Sequence, residues 1–186
     1  MAIAAVILAA GESRRFGPDH KVLAHLHGRP LLSHALDAVR EANVFSAIYV
    51  VSGPVPLAEF CPPPICELVN NNWASGMGSS LRVALDQAQQ DGMEAVVVGL
   101  ADQPAVEPSC WRALAGDSSW PILVATYNGE RGNPVRLAAS VWPLLDGAGD
   151  YGARELMRQR PELVGELACQ GDGRDIDTRE DLEQWN

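Results

Sequence analysis

The sequence is short of positive charge, aromatic residues and long apolar runs. Lysine and arginine number 14 against 24 aspartates and glutamates, so the 186-residue chain carries a formal charge of −10. Broad nucleic-acid binding needs a basic surface, and this balance argues against it. A small anionic ligand is not excluded, because a local basic pocket fits inside an acidic protein. The apolar run over residues 2–10 is too short to span a bilayer and lacks the basic flank of a secretory signal, and no other segment approaches membrane length. The expectation is a cytoplasmic protein with neither membrane nor nucleic acid as partner. Cys61, Cys66, Cys110 and Cys169 include no CxxC pair, which predicts reduced thiols, no disulfide framework and no zinc site. Histidine is equally scarce. His25 and His27 flank Leu26, and strand alternation puts them on one face, where an exposed pair is favoured over a metal site.

What is present is an alternation of strands and helices. The length predicts one domain, residues 1–186, and the 47% hydrophobic content is that of a chain with a packed core. Residues 2–8 read as a strand buried on both faces. Pro30 reads as the first residue of a helix, with Leu31, Leu32, Ala35, Leu36 and Val39 at helical spacing. Further strands are predicted over 47–51, 65–69, 95–100 and 122–126, and helices over 79–90 and 108–115. Asn128-Gly129 predicts a hairpin into residues 134–137. Thr178 and Asp181 have the spacing of a capping box that opens a last helix. Trp111, Trp142 and Trp185 read as packing residues. The pattern predicts an α/β fold with a mainly parallel, mixed central sheet. Ligands in such folds bind beyond the carboxyl ends of the strands, so those loops are where function is sought.

The first such loop runs Leu8-Ala9-Ala10-Gly11-Glu12-Ser13-Arg14-Arg15-Phe16-Gly17, with Lys21 shortly after. Small residues let the backbone approach a ligand, and successive N–H groups with fixed cations suit a triphosphate. The spacing is neither a Walker A loop nor a GxGxxG fingerprint, and a plain turn with solvated arginines is the alternative. Asp102, within Ala101-Asp102-Gln103-Pro104, follows the strand at 95–100. A carboxylate there either holds Mg²⁺ against phosphate oxygens or caps the loop. Asp175-Ile176-Asp177 places two aspartates on one side, as a second metal-facing group or as a helix entry. The polar stretch Asn70-Asn71-Asn72-Trp73-Ala74-Ser75-Gly76-Met77-Gly78-Ser79-Ser80 precedes a helix whose first N–H groups can receive an anion or a base edge. Two glycine-rich loops, around Arg131 and Arg154, carry one arginine each.

Taken in order, these segments resemble the MobA-like nucleotidyltransferases. Residues 8–17 with Lys21 are similar to the LAAGxSRR[MF]G…K signature of that superfamily. The later segments resemble the molybdenum cofactor cytidylyltransferases of the MocA type within it. They are Gly76–Leu81, Ala101–Pro104, Arg131-Gly132-Asn133-Pro134-Val135, Gly149-Asp150-Tyr151-Gly152-Ala153-Arg154 and Asp175–Thr178. The family often carries histidine where this chain has Asn133.

The resemblance implies a Rossmann-like three-layer fold. It also implies Mg²⁺-dependent transfer of a cytidylyl group from CTP to the terminal phosphate of molybdenum-bound molybdopterin, with release of pyrophosphate. Arg15, Lys21 and Asp102 would be catalytic. Leu8, Ala9, Ala10, Gly11, Glu12, Ser13, Arg15, Lys21, Gly76, Ser79 and Ser80 would bind the nucleotide. Arg131, Asn133, Pro134, Gly152 and Arg154 would face the pterin substrate. Asp102 and Asp177 would hold the metal, and a client molybdoenzyme would be a further partner. The rival readings are a guanylyltransferase using GTP, a nucleotidyltransferase acting on another phosphorylated small molecule, and a non-catalytic carrier of the finished cofactor. A phosphate acceptor is already anionic and needs no strong base, so no Ser/His/Asp triad and no covalent intermediate are expected.

Overall fold

The computed structural model describes residues 1–11, 16, 20–145 and 153–185. Its first strand, β1 (Ile3–Leu8), has alternate side chains committed to two different cores. Ile3, Ala5 and Ile7 pack on one face, while Ala4 and Val6 pack on the other. That double burial explains why the segment is apolar without a break. After a 3₁₀ turn at Lys21–Leu23, a small hairpin of β2 (His25–Leu26) and β3 (Arg29–Pro30) leads into α1 (Leu31–Ala42). Then come β4 (Ala47–Ser52), β5 (Ile65–Val69), α2 (Met77–Gln90) and β6 (Ala95–Leu100). The remainder is α3 (Pro108–Gly116), β7 (Ile122–Tyr127), β8 (Glu130–Ala138), α4 (Arg154–Gln159), β9 (Val164–Ala168) and α5 (Arg179–Trp185).

Among the described residues, seven strands form one sheet in the order β5-β4-β1-β6-β8-β7-β9. The pairs β5·β4, β4·β1, β1·β6 and β7·β9 are parallel, and the pairs of β8 with β6 and β7 are antiparallel. Helices α1 and α3 cover one face through Leu32, Leu36, Val39, Trp111 and Leu114. Helix α2 covers the other through Leu81, Ala84, Leu85 and Ala88, joined by Trp142 and by Leu156 of α4. Each fully buried leucine or isoleucine contributes about 1.5–3 kcal/mol, so these two apolar layers dominate the stability of the sheet. A third, smaller cluster joins Phe16, Leu26, Leu31 and Ile176, with Leu182 and Trp185 of α5 packed against it.

The mixed sheet and three layers agree with the expectation, and several local readings are corrected. Pro30 is not the first helical residue. It precedes α1 and pairs with His25, so its fixed φ serves the hairpin instead. His25 and His27 do not share a strand face, because His27 takes φ 50° in the turn between β2 and β3. The final strand β9 went unpredicted; its five residues include Gly165 and Glu166, which hide the apolar pattern. The largest correction concerns the thiols. Cys61 and Cys66 are free, but Cys110 and Cys169 form a disulfide between α3 and the chain just after β9. They lie 59 residues apart in sequence and 5.2 Å apart at Cα. Sheet topology creates that proximity, and cysteine spacing carries no trace of it.

Candidate functional site

The carboxyl ends of β1 and β6 meet the N-terminal end of α2 around a cavity of about 430 Å³. Leu8, Ala9, Ala10 and Gly11 line it, with Trp73, Ala74 and Gly76 from the turn before α2, Met77 and Ser80 from its first turn and Asp102 from the loop after β6. The exit of β1 is stitched on both sides. The Ala9 N–H donates to the Val51 carbonyl at 2.9 Å, and the Ala101 N–H donates to the Leu8 carbonyl at 3.1 Å. Gly53 lies directly against this turn. A Cβ at Gly53 would meet the Ala10 carbonyl oxygen at 2.9 Å and the Ala10 Cβ at 3.0 Å, so only glycine admits the close approach.

The entry to α2 is held by a polar knot. Asn70 is buried, and its amide nitrogen donates to the hydroxyls of Ser79 and Ser80 at 2.8 and 2.9 Å. The Ser79 hydroxyl is also bonded to the carbonyls of Asn72 and Gly76. Ser79 therefore shapes the turn and does not line the cavity, whereas Gly76 and Ser80 do.

A second cavity, of about 750 Å³, shares Leu8, Gly11, Lys21, Met77, Leu100 and Asp102 with the first. Leu81, Val98, Val124, Val135, Leu137 and Met157 give it apolar surface, and Arg131, Asn133, Arg154 and Arg158 give it donors. Asp175 and Asp177 also line it. Lys21 and Asp102 thus stand where the two cavities join. Arg131 is half-exposed and donates through Nε to Glu166 at 2.7 Å. Pro134 does not line the cavity and lies against Gly99 of β6. Tyr127 supports the Asn133 loop from below. Its hydroxyl donates to the Asn133 carbonyl at 2.8 Å, and its ring lies so close to Gly173 that a Cβ there would meet it at 2.4 Å.

The charged centre is compact. Lys21 Nζ is 2.5 Å from Asp102 Oδ2 and 2.9 Å from Asp177 Oδ1, with the Lys21 and Asp102 side chains largely buried. Burial by itself would lower the Lys21 ammonium; the attraction and hydrogen bond of Asp102, then those of Asp177, outweigh it and raise the ammonium above its ordinary value. The segment carrying Asp177 is fixed from within. Ile176 is fully buried and its N–H donates to the Asp102 carbonyl at 2.9 Å. The capping box closes just beyond: the Thr178 N–H donates to Asp181 Oδ2 at 2.8 Å, and the Asp181 N–H to Thr178 Oγ1 at 3.1 Å. Alternation does put Asp175 and Asp177 on the same cavity, but their partners differ. Asp175 accepts from the Gln103 amide at 2.6 Å, and burial, followed by the nearby Asp102 charge, pushes its carboxyl upward against the opposing pull of that bond.

The donor set fits a hard divalent ion. Asp102 Oδ1 is buried without a hydrogen-bond partner, and two carboxylates, Asp102 and Asp177, share one ammonium, with Asp175 lining the same cavity. Among the described residues no group of three or more His, Cys, Asp or Glu is arranged around a single metal position. An ion using Asp102 and Asp177 would complete its shell with water and phosphate oxygens, the pattern that Mg²⁺ favours.

Of the predicted site residues, Leu8, Ala9, Ala10, Gly11, Lys21, Gly76, Ser80 and Asp102 meet at the first cavity, and Arg131, Asn133, Arg154 and Asp177 at the second. Glu12, Ser13, Arg15 and Gly152 lie outside the described residues. Met77 falls within the Gly76–Ser80 segment that the resemblance gives to the nucleotide, whereas no sequence reading singles out Trp73 or Gln103 by itself. Trp73 and Met77 sit inside the Asn/Gly/Ser stretch that was singled out, and their place in it was the available signal. Gln103 follows Asp102 directly, but nothing in the sequence ties it to Asp175 across 72 residues.

The model of the MobA-like NTP transferase domain matches residues 5–164. Over 194 residues the chain is 30% identical to the nicotine blue oxidoreductase of Paenarthrobacter nicotinovorans, covering 97% of this chain and 94% of that protein. It is 28% identical to the molybdenum cofactor guanylyltransferase of Acidiphilium cryptum, covering 79% and 74% of the two chains. The crystal structure of Rv0371C from Mycobacterium tuberculosis H37Rv in complex with manganese superposes with a TM-score of 0.83 at 28% identity, covering all of this chain and 98% of that one. No helix among the described residues is long and apolar enough to cross a membrane.

Proposed function

The chain belongs to the MobA-like NTP transferase domain family, and from that premise we propose that residues 1–186 act as one cytoplasmic domain that transfers a cytidylyl group from CTP to the terminal phosphate of molybdenum-bound molybdopterin. One observation carries the reading: two cavities, one bounded by the small-residue turn after β1 and one rimmed by arginines, join at Lys21 and Asp102. Two substrates held on either side would present their reacting phosphates to each other at that junction.

In the reaction an oxygen of the acceptor phosphate attacks the α-phosphorus of the nucleotide, and the bond to the leaving pyrophosphate breaks. Leu8, Ala9, Ala10 and Gly11 bring the backbone close to the nucleotide, with Gly76 and Ser80 opposite. Arg15 and Lys21 offset charge on the triphosphate and on the departing pyrophosphate. Asp102 and Asp177 would hold Mg²⁺, which supplies charge neutralisation and a template for phosphate oxygens. Arg131, Asn133 and Arg154 make the acceptor side, with Pro134 backing the Asn133 loop against Gly99 and Gly152 assigned to it by the family resemblance alone, and the apolar lining from Val98, Val124 and Val135 suits the flat body of a pterin. Positioning and electrostatic stabilisation supply the acceleration, so no base is required.

The choice of CTP rests on the turn after β1. The methyl of Ala10 narrows the space beside the base, so Ala10→Gly relaxes discrimination against GTP; an unchanged CTP-to-GTP ratio removes Ala10 from the explanation. The reading as a whole is tested by pyrophosphate release with CTP, GTP, UTP and ATP, each with molybdopterin, its molybdenum-bound form and other phosphorylated acceptors. Release with CTP is the expected result. Release with GTP alone makes the protein a guanylyltransferase, and cofactor binding without pyrophosphate from any nucleotide makes it a carrier. Co-purification with an apo-molybdoenzyme would identify the client.

A further inference from the structure

The three groups at the cavity junction make an unusual claim on one another. Lys21 Nζ stands within hydrogen-bonding distance of both Asp102 Oδ2 and Asp177 Oδ1, the two side chains assigned above to the metal. Asp102 Oδ1 is closed off from solvent and has no partner. Oδ2, the oxygen that Lys21 holds, is therefore the one for which an arriving ion must compete. Lys21 is also not a loosely tethered surface group. It opens the Lys21–Leu23 turn, whose backbone is closed by the Ala24 N–H donating to the Lys21 carbonyl at 3.0 Å, and the adjacent Val22 is buried in the core. The ammonium is anchored from one side and drawn by two carboxylates from the other.

We infer that the Lys21 ammonium is the resident cation of the metal seat, so that a divalent ion enters only when a polyphosphate draws Lys21 away from Asp102 and Asp177. This inference rests on the metal assignment under Proposed function and adds an order of events to it. A monocation bridging the two carboxylates and a dication bound to the same oxygens exclude each other, because like charges a few ångströms apart repel strongly in a partly desolvated site. A triphosphate in the first cavity changes the balance twice. Its oxygens accept the ammonium, which lines that cavity already, and they add ligands to the incoming ion. The ion and the nucleotide then bind with positive coupling, each raising the affinity for the other by the same factor. The functional consequence is that Asp102 and Asp177 remain neutralised between turnovers and the site does not collect divalent ions without substrate.

The experiment measures Mn²⁺ binding directly, by the loss of free Mn²⁺ signal in electron paramagnetic resonance, without turnover. The full chain is titrated as wild type, as Lys21→Met and as Lys21→Met/Asp102→Asn. Lys21→Met keeps an apolar stem of similar length and removes the charge. Without nucleotide, Lys21→Met is expected to bind Mn²⁺ at least tenfold more tightly than wild type, and adding Asp102→Asn is expected to abolish the gain. Equal affinity in wild type and Lys21→Met overturns the inference. Tighter binding that survives Asp102→Asn also overturns it, because the ion then lies elsewhere. Should Lys21→Met fail to fold, Lys21→Gln serves in its place, and the wild type carries an independent check. Its Mn²⁺ affinity must rise at least tenfold in the presence of a non-hydrolysable CTP analogue, and equal affinity with and without the analogue overturns the inference. The metal assignment is judged separately. It fails if Asp102→Asn in the otherwise wild-type chain leaves the Mn²⁺ affinity of the analogue-bound protein unchanged, whatever Lys21→Met does.

Discussion

The two sides of the sheet hold their ligand loops by different means. On the β5-β4-β1-β6 side the strands are parallel, and the turn after β1 is placed by close packing of small residues, Ala10 against Gly53. On the β8-β7-β9 side the ladder is mixed, and the acceptor loops are placed by discrete polar and covalent ties. Those ties are the Tyr127 hydroxyl on Asn133, the Gln103 amide on Asp175 and the Cys110–Cys169 disulfide. Close packing tolerates little change in volume, whereas individual ties can be cut one at a time. The first side should therefore fail abruptly when a methyl group is added, and the second gradually as bonds are removed. Asp102, between them, belongs to both.

The largest effect is expected at that shared point. Asp102→Asn keeps the shape and removes the charge, so turnover should fall by about 10²–10³-fold, the loss typical of removing one electrostatic contact to a transition state. The thermal midpoint should move little by comparison, because the Lys21 ammonium keeps Asp177 as a partner at 2.9 Å and the apolar layers are untouched. Steady-state kinetics beside a thermal melt checks this, and a normal kcat with a collapsed melting temperature would make Asp102 a structural residue.

Next is the disulfide. It closes a loop of 59 residues, and a cross-link of that span contributes about 2–4 kcal/mol by restricting the unfolded chain. Treatment with a dithiol should lower the denaturation midpoint accordingly. If the comparison of the two sides is right, it should also raise the KM for the acceptor while leaving the KM for the nucleotide in place. Equal shifts in both would show that the two sides are not independently supported.

Gly53→Ala tests the opposite side. A methyl 2.9 Å from the Ala10 carbonyl oxygen forces the turn after β1 to move, and such overpacking costs about 1–3 kcal/mol. The nucleotide KM should rise about tenfold and the acceptor KM should not, the mirror image of the dithiol result.

How much of this was legible in the sequence follows the same division. Strands buried on both faces announce themselves as apolar runs, so the bounds of β1, β4 and β6 are legible nearly to the residue, and with them the loops that follow β1 and β6; the edge strand β5, with Cys66 and Val69 exposed, is legible from its place after the triple proline. The capping box at Thr178 was read because its two partners are three residues apart. The mixed side was read less well for a physical reason. Its organising contacts join residues far apart in the chain: Gln103 with Asp175, Cys110 with Cys169, Arg131 with Glu166. No spacing rule reports a partnership that only topology creates. The strand β9 carries one glycine and one glutamate in five residues, too weak a pattern to separate from a loop. The resemblance gives Ser79 to the nucleotide, but its place at the helix entry lets its hydroxyl bond the carbonyls of Asn72 and Gly76, a local tie that a motif match does not report.

The smallest effect is the most discriminating. Tyr127→Phe keeps the ring that packs on Gly132 and Gly173 and removes only the hydroxyl that donates to the Asn133 carbonyl. A hydrogen bond of this kind contributes about 1 kcal/mol net, so the variant should melt only slightly below wild type. The Asn133 loop loses its tie from below while the turn after β1 feels nothing. The acceptor KM should therefore rise several-fold with kcat and nucleotide KM almost unchanged. A variant that instead loses nucleotide affinity would mean that Tyr127 acts through the sheet on both cavities, and the separation between a packed side and a tied side would not hold. Combining Tyr127→Phe with Gly53→Ala sharpens the point further. Perturbations on independent sides should add in free energy, while coupling well above half a kilocalorie per mole would show that the two loops move as one.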